Sequence, residues 1–479
     1  MADVDVLSGG GLLGHLQEFR DRPLDLLRRL NREQGELGRL RFASVSVLVV
    51  NTPALVHELL VEKHAHFQKS RVLRAGLYPL AGDGLFTSEG ELWRRQRKLM
   101  APIFQARRIA DFDACMVDCA ELVIDRWAEG DTLDALHETT AIAMNVASRA
   151  LFGIDISAEG DELGQALTVA LEWVAHVVTS LPFAVQIELA EGIHKAGSHL
   201  PDALSSAAER IVEQLEHPIM WPTAKNREMQ AALETLEARV AKMIAERRAD
   251  PQPRRDLLSL LLHAHEETGD AAMSDRQLRD EILTLFVAGH ETTATALAWS
   301  LYLLSRHPEV RDAVEREAAD VLGDRRPTAA DLPRLELATR VFKEALRMYP
   351  PVPVYERQAT QPVEIGGLAL DDGDYVAVLP WALHHREALW PEPDRFDPDR
   401  FLPEAEAARA RYAWVPFGAG PRVCIGSHFA LQEGPLVLAM IARRARLELV
   451  DGREIEPDPH SATLRPRGGV PVRVTRRPS

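Results

Sequence analysis

The run SDRQLRDEILTLFVAGHETTATALAWSLYLLSRHPEV, residues 274–310, constrains the fold more than any other part of the chain. Ser274 with Gln277 three residues later is the signature of a capped helix start. His307-Pro308 ends the run, because the residue before a proline avoids the α region. That leaves about 32 helical residues, roughly 48 Å at 1.5 Å each, against a mean of about 11–12 residues for globular helices. The middle is apolar nearly all round, so the helix has to cross a core rather than lie on one. At its centre, beside Gly289, stand His290, Glu291, Thr292 and Thr293. Polar groups buried there need partners or a task.

Around this helix the chain reads as mainly α with a small β portion. The segment LRFASVSVLVVN (40–51) alternates and is β-branched, which predicts a strand pair. Helical periodicity dominates from there to about residue 350. VPVYERQAT (352–360) and PVEIGGLALDDGDYVAVLP (362–380) read as short strands with Gly-Gly and Asp-Gly turns. A Pro-rich stretch (390–403), a glycine-framed turn, a helix over about 426–445 and a strand-like tail follow. Length alone suggests about three domains. No linker or repeat divides the chain, so one domain over 1–479 is expected, its β-rich part at about 35–65 and 352–385 plus the C-terminal tail. The 46% hydrophobic content supports a large core.

Seventy-two acidic against 56 basic residues give a net charge of -16, which excludes a general affinity for nucleic acid. Three cysteines, Cys115, Cys119 and Cys424, cannot make a disulfide framework and point to a reducing, cytoplasmic setting. The first residues, MADVDVLSGGGLLGHLQEFRDRP, have neither the basic start nor the apolar length of a signal peptide or membrane span. The most apolar stretch, VALEWVAHVVTSLPFAVQIEL (169–189), is broken by Glu172, His176, Ser180 and Pro182. It reads as amphipathic helices around a turn, forming a lid over an apolar pocket.

Cys424 stands apart from the other thiols. Cys115 and Cys119 lie i, i+4 on a helix and read as core residues, whereas Cys424 sits in FGAGPRVCIGSHFA (417–430). Gly420 and Gly426 let backbone amides turn toward the sulfur, and the following helix adds its N-terminal dipole. Both effects are expected to lower the thiol pKa and favour one soft metal bond. Zinc fits poorly: Cys424 and His428 lack a second ligand pair. HETTA (290–294) lacks the second histidine of a metalloprotease helix. GAGPRVCIG has Val423 where a dinucleotide fingerprint needs its third glycine. Haem iron remains, for which a cysteine ligand favours O–O cleavage. His384 and His385 read as loop histidines at a strand end.

Phe417, Gly420, Arg422, Cys424 and Gly426 fit F-x-x-G-x-R-x-C-x-G, and this resembles the haem-binding signature of the cytochrome P450 family. AGHETT (288–293), EALR (344–347), FDPDRF (396–401, with Asp399 for the usual Glu) and WRRQR (93–97) resemble four further motifs of that family, over about residues 40–470. The resemblance implies the cytochrome P450 fold, with the long helix over a haem b whose iron takes Cys424 as its axial ligand. It implies that Trp93, Arg97, Arg357 and Arg422 hold the propionates, that Phe417 and Gly426 frame the sulfur, and that Ala288 leaves room for O2. Glu291 and Thr292 would relay protons. Glu344, Arg347 and Arg400 would form a structural network under the Pro-rich stretch.

The activity implied is insertion of one oxygen atom from O2 into a hydrophobic small molecule: a fatty acid, terpenoid, steroid or polyketide. A bacterial enzyme of secondary metabolism, acting as a monomer, is expected. Two other readings share the resemblance, a peroxide-driven peroxygenase and a non-catalytic haem-thiolate binder or sensor. The chain shows no flavin or iron–sulfur module, so electrons are expected from a ferredoxin or flavodoxin with its reductase. Arg94, Arg95 and Lys98 with Arg443, Arg444 and Arg446 are the expected docking face. By the same analogy Leu77, Leu85, Phe86, Phe183, Leu285, Phe286, Val352 and Val354 wall the substrate pocket.

Overall fold

A computed structural model of the chain describes residues 4–477 except 12, 44, 157–159, 198–200, 217–218, 220–221, 251–255 and 267–272. The central helix runs Asp275–Arg306, 32 residues, with both halves of the Ser274/Gln277 capping box formed. Every residue from Thr293 to Leu304 is buried, so this half is enclosed on all sides. Its polar atoms are largely satisfied within the core. Ser300 Oγ donates to Ala296 O at 2.7 Å, and Trp299 Nε1 donates to Leu464 O at 2.6 Å. The Trp299 ring also stacks on Tyr349 with centroids 3.7 Å apart. Helices Ala135–Phe152, Glu336–Met348 and Ser427–Arg444 pack on this axis. Their apolar residues merge into one large cluster.

The β portion comes from both ends of the sequence, as expected. Its strands are β1 Leu37–Phe42, β2 Val45–Val50, β3 Phe67–Gln68, β4 Thr132–Asp134, β5 Tyr355–Ala359, β6 Val363–Ile365, β7 Leu368–Leu370, β8 Tyr375–Val378, β9 Ala445–Leu449 and β10 Pro471–Arg476. The main sheet has the order β1-β2-β8-β5-β3, with β2 and β8 parallel and the other pairs antiparallel. β4, β10 and β9 form a second sheet. β6 and β7 close on Gly366 and Gly367, at φ 55° and 79°, the two left-handed positions of a two-residue hairpin. Two strands fall inside the stretch expected to be helical: β3 and β4 have two and three residues, too short for an alternation to register.

The apolar stretch 169–189 becomes two helices, Gly160–Val178 and Leu181–Gly197, with a 65° bend between them. Among the described residues, no single helix is long and apolar enough to cross a membrane. The two histidines differ from expectation. His384 closes the short helix Pro380–His384 and His385 follows it, and both are buried.

Candidate active site

The segment Val415–Gly426 is built from short bonds within itself. Gly418 N–H donates to Val415 O at 3.1 Å, Val423 N–H to Gly420 O at 3.1 Å, and Cys424 N–H to Phe417 O at 2.8 Å. Gly420 has φ 69°, and a Cβ there would stand 1.9 Å from Leu60 O, so only glycine lets this turn lie against the 58–62 segment. Gly426 caps the helix Ser427–Arg444 and turns its amide to the Cys424 sulfur. Cys424 is surrounded by protein yet keeps an accessible surface, so it lies on the wall of an internal space. Ala288 is likewise accessible at mid-helix, with Thr292 one turn on half-buried, between the buried stretches Asp280–Phe286 and Thr293–Leu304.

The electrostatics at the sulfur differ from the expected sign. Burial pushes the Cys424 thiol above its ordinary pKa, and the Gly426 amide and the Arg97 guanidinium only partly oppose this. One amide and one cation do not outweigh desolvation. A bond to a metal would, because coordination deprotonates a thiol outright.

Beside the sulfur is a group of enclosed cations. Arg422 donates to Ser88 O at 3.0 Å, pairs with Glu89, and lies 3.7 Å over the Trp93 ring. Arg357, on β5, donates to Glu356 O. Lys69 stands 3.5 Å from Glu89. Its pKa is pushed down to about 7, by burial first and then by Arg422 and Arg357, against the pull of Glu89. Arg422 is pushed down to about 10, again by burial first, against Glu89 and helped by Arg357. Burial likewise lowers Arg357 and Arg97. Of the nearby carboxylates, Glu356 is engaged by Ser70 Oγ at 2.8 Å, which leaves Glu89 facing most of the charge. This donor set fits a ligand bearing two carboxylates, as a haem does.

Trp93, Arg357 and Arg422 were legible in the sequence; Lys69 and Glu89 were not. Lys69 reaches the site because β3 pairs with β5 in a register that sets Gln68 against Gln358, and so Lys69 beside Arg357. A lone lysine after a two-residue strand carries no signal of that pairing.

On the central helix, Thr292 Oγ1 donates to Ala288 O at 2.9 Å. Glu291 turns elsewhere: its Oε1 accepts from Thr463 Oγ1 at 2.9 Å, and Oε2 is buried without a partner. Burial raises its pKa, opposed by Thr463 and Arg465. Arg465 pairs with Glu172 on the Gly160–Val178 helix, so the C-terminal loop bridges Glu291 and that helix. Thr463 and Arg465 lie far from Glu291 in sequence, within no motif. Leu77, Leu85, Phe183, Leu285 and Phe286 are buried together, Phe286 stacked on Phe152, while Phe86 is exposed.

The expected network assembles. Arg347 and Glu344, both fully buried, pair through two bonds of 2.7 and 2.8 Å. Arg347 also donates to His384 O and Pro393 O, and the Asp397 amide donates to Glu344 Oε1 at 3.0 Å. Arg400 Nε stands 3.5 Å from Glu344 Oε1, an ion-pair distance without a hydrogen bond, and its Nη2 donates to Glu392 O. His384 carries the network to the cysteine turn, because its Nε2 accepts the Val415 amide at 2.9 Å. Burial and Arg347 push His384 down to about 3, so it is the neutral acceptor this bond requires.

The expected docking clusters behave differently from each other. Arg94 and Lys98 are exposed on the helix Gly90–Met100, Arg94 in an exposed pair with Glu91. Arg443 pairs with Asp324, Arg444 with Asp125, and Arg446 with Asp312 and Glu315, so that second group is balanced by the molecule's own acids.

A family model described as Cytochrome P450 matches residues 8–471. The chain is 36% identical to cyclooctat-9-en-7-ol 5-monooxygenase of Streptomyces melanosporofaciens, over 92% of this chain and 88% of that one. It is 30% identical to pentalenene oxygenase of Streptomyces avermitilis, over 95% and 94%. Its fold is similar to the crystal structure of the P450DA haem domain, with a TM-score of 0.83 and 28% identity over 100% of this chain and 98% of that one.

Proposed function

Since the chain belongs to the cytochrome P450 family and is a haem-thiolate monooxygenase, we propose that it oxidises a terpenoid: a largely hydrocarbon, cyclic molecule with few polar groups. Two observations support that class. The walls assigned to the pocket are aliphatic and aromatic, and relatives at 30–36% identity are named for an alkene and an alkenol. Haem iron held by Cys424 would supply the reductive activation of O2 and the transfer of one oxygen atom.

The chain's own residues do the rest. Arg357, Arg422 and Lys69 would hold the propionate edge by charge, with the Trp93 ring beneath Arg422. Arg97 offsets negative charge at the sulfur. Ala288 keeps the helix thin where a small ligand must fit, whereas Gly289 lets it close on the Ala135–Phe152 helix, where a Cβ would stand 3.2 Å from Ala147. The Thr292 hydroxyl is held by Ala288 O at 2.9 Å, ready to accept or pass a proton on that side. Burial raises the pKa of Glu291, and its Oε2, the oxygen that Thr463 does not engage, is the one open to a proton. The C-terminal loop and its Arg465–Glu172 link exclude water from behind that acid. Electrons come from separate redox partners, and the exposed Arg94 and Lys98 suit an acidic ferredoxin or flavodoxin.

The observation that carries this reading is the accessible Cys424 sulfur within an interior flanked by the Lys69, Arg357 and Arg422 cations. Reduced, CO-treated protein should show a thiolate-type Soret band that Cys424→Ser lacks. Cyclic terpene hydrocarbons should shift the ferric spin state, and fatty acids of similar carbon number should not. Turnover by peroxide and not by redox partners would favour the peroxygenase reading. Haem binding with no oxidation under either condition would favour a binder or sensor.

A further inference from the structure

We infer that Tyr355 is a positioning residue for the cysteine ligand, tying strand β5 and its Arg357 cation to the turn that presents Cys424. The phenol hydroxyl lies 2.9 Å from Val415 O and 2.7 Å from Pro416 O, so one O–H is shared between two successive carbonyls. The next residue, Phe417, gives its carbonyl to the Cys424 amide at 2.8 Å. Tyr355 therefore acts one residue from the bond that sets the cysteine backbone.

Its ring is packed with the second apolar cluster, against the same group that contains Val415 and Ala419. Strand periodicity puts Tyr355 and Arg357 on one face, while Glu356 points the other way to Ser70. One strand would thus support both ends of a haem's attachment, through the Arg357 cation and through the turn that carries Cys424. From the opposite side, His384 Nε2 takes the Val415 amide. The 415–416 segment is held by its N–H on one flank and by its carbonyls on the other.

Among the described residues, Pro416 O receives a hydrogen bond only from Tyr355. Removing the hydroxyl leaves that carbonyl, close to the sulfur, without a donor, and a buried polar group without a partner is costly. The turn then relaxes to regain one, which loosens the sulfur's position rather than the fold. The unopposed carbonyl dipoles also add negative potential near the ligand.

The inference rests on Cys424 being the iron ligand. The test is Tyr355→Phe in the haem-loaded protein, which keeps the ring packing and removes the donor. Urea is raised while the reduced, CO-bound Soret band and far-UV circular dichroism are followed together. The thiolate-type band should be lost well before the secondary structure, with about a tenfold larger non-thiolate fraction than wild type at one sub-denaturing urea concentration. The ferric/ferrous potential should move to a more negative value. Leu30→Ala, a cavity in a separate apolar cluster, is the control and should shift both transitions together. Tyr355→Phe behaving like Leu30→Ala, or like wild type in both band and potential, would overturn the role. Absence of a thiolate-type band in wild type itself would remove the ligand assignment, and this inference with it.

Discussion

A buried charge at a cofactor's edge is held in place by what it faces. Lys69 illustrates this: enclosed beside Arg357 and Arg422, it is pushed down to about 7 and shares Glu89 with Arg422, so a bound carboxylate adds opposite charge that one glutamate leaves short. Lys69→Met should therefore speed haem loss. A hydrogen bond to a charged group contributes about 1.5–3 kcal/mol, roughly 10- to 100-fold in rate. Transfer of haem to an acceptor protein measures it, and an unchanged rate would remove Lys69 from the site. Glu281 is the opposite case, a carboxyl with no cation. Burial pushes it up to about 8, against the Leu85 amide that donates to Oε2 at 2.9 Å. Between the ordinary carboxyl pKa and about 8, the folded protein keeps a proton that the unfolded chain has lost. Stability is then fully present at acid pH and falls as pH rises, by up to about 1.4 kcal/mol per unit. Glu281→Gln should raise the Tm at pH 8 and leave it nearly unchanged at pH 4. A pH-independent difference in melting would show that ionisation is not the cause.

Among the elements, the helix Glu336–Met348 carries more of the site's integrity than its sequence distance from Cys424 suggests. It presents Glu344 and Arg347 to the Pro-rich stretch and, through His384, reaches Val415. Arg347→Ala strands a buried carboxylate and should cost about 3–5 kcal/mol. The expected result is protein that fails to retain haem. Arg400→Ala should cost far less, because Arg400 Nε makes no hydrogen bond to Glu344. Equal losses for the two, by thermal melting and haem stoichiometry, would contradict this ranking. The central helix shows a related division of labour. Its second half is packed on every side up to Leu304, and between the buried stretches Asp280–Phe286 and Thr293–Leu304 its accessible surface is confined to Val287–Thr292.

For the molecule as a whole, a net charge of -16 coexists with a local basic surface. Only part of that surface is available to a partner. Arg443, Arg444 and Arg446 lie half-buried against the molecule's own acids, whereas Lys98 and Arg94, the latter in an exposed pair with Glu91, project from the helix that carries Trp93 and Arg97. Association with an acidic ferredoxin should weaken with salt. Lys98→Glu with Arg94→Glu should slow electron delivery and flatten its salt dependence. Arg444→Glu should leave that dependence as in wild type. Stopped-flow reduction across a salt series separates the two, and a slope insensitive to Lys98 and Arg94 would place docking elsewhere.

Much of this was written in local sequence. The capping box, the proline stop and the apolar run set the central helix, because each acts within a few residues. Phe417, Gly420, Arg422 and Cys424 name the turn for the same reason, and the Glu344/Arg347 spacing sets their pairing on one helix. What tertiary structure alone decided are meetings between distant segments. The β3–β5 register brings Lys69 to Arg357, the C-terminal loop brings Thr463 to Glu291, and the strand–turn contact brings Tyr355 to Val415 and Pro416. It also fixed the sign of the shift at Cys424, where burial outweighs the amide and the cation. Desolvation depends on every atom packed around a group, and no stretch of sequence specifies that by itself.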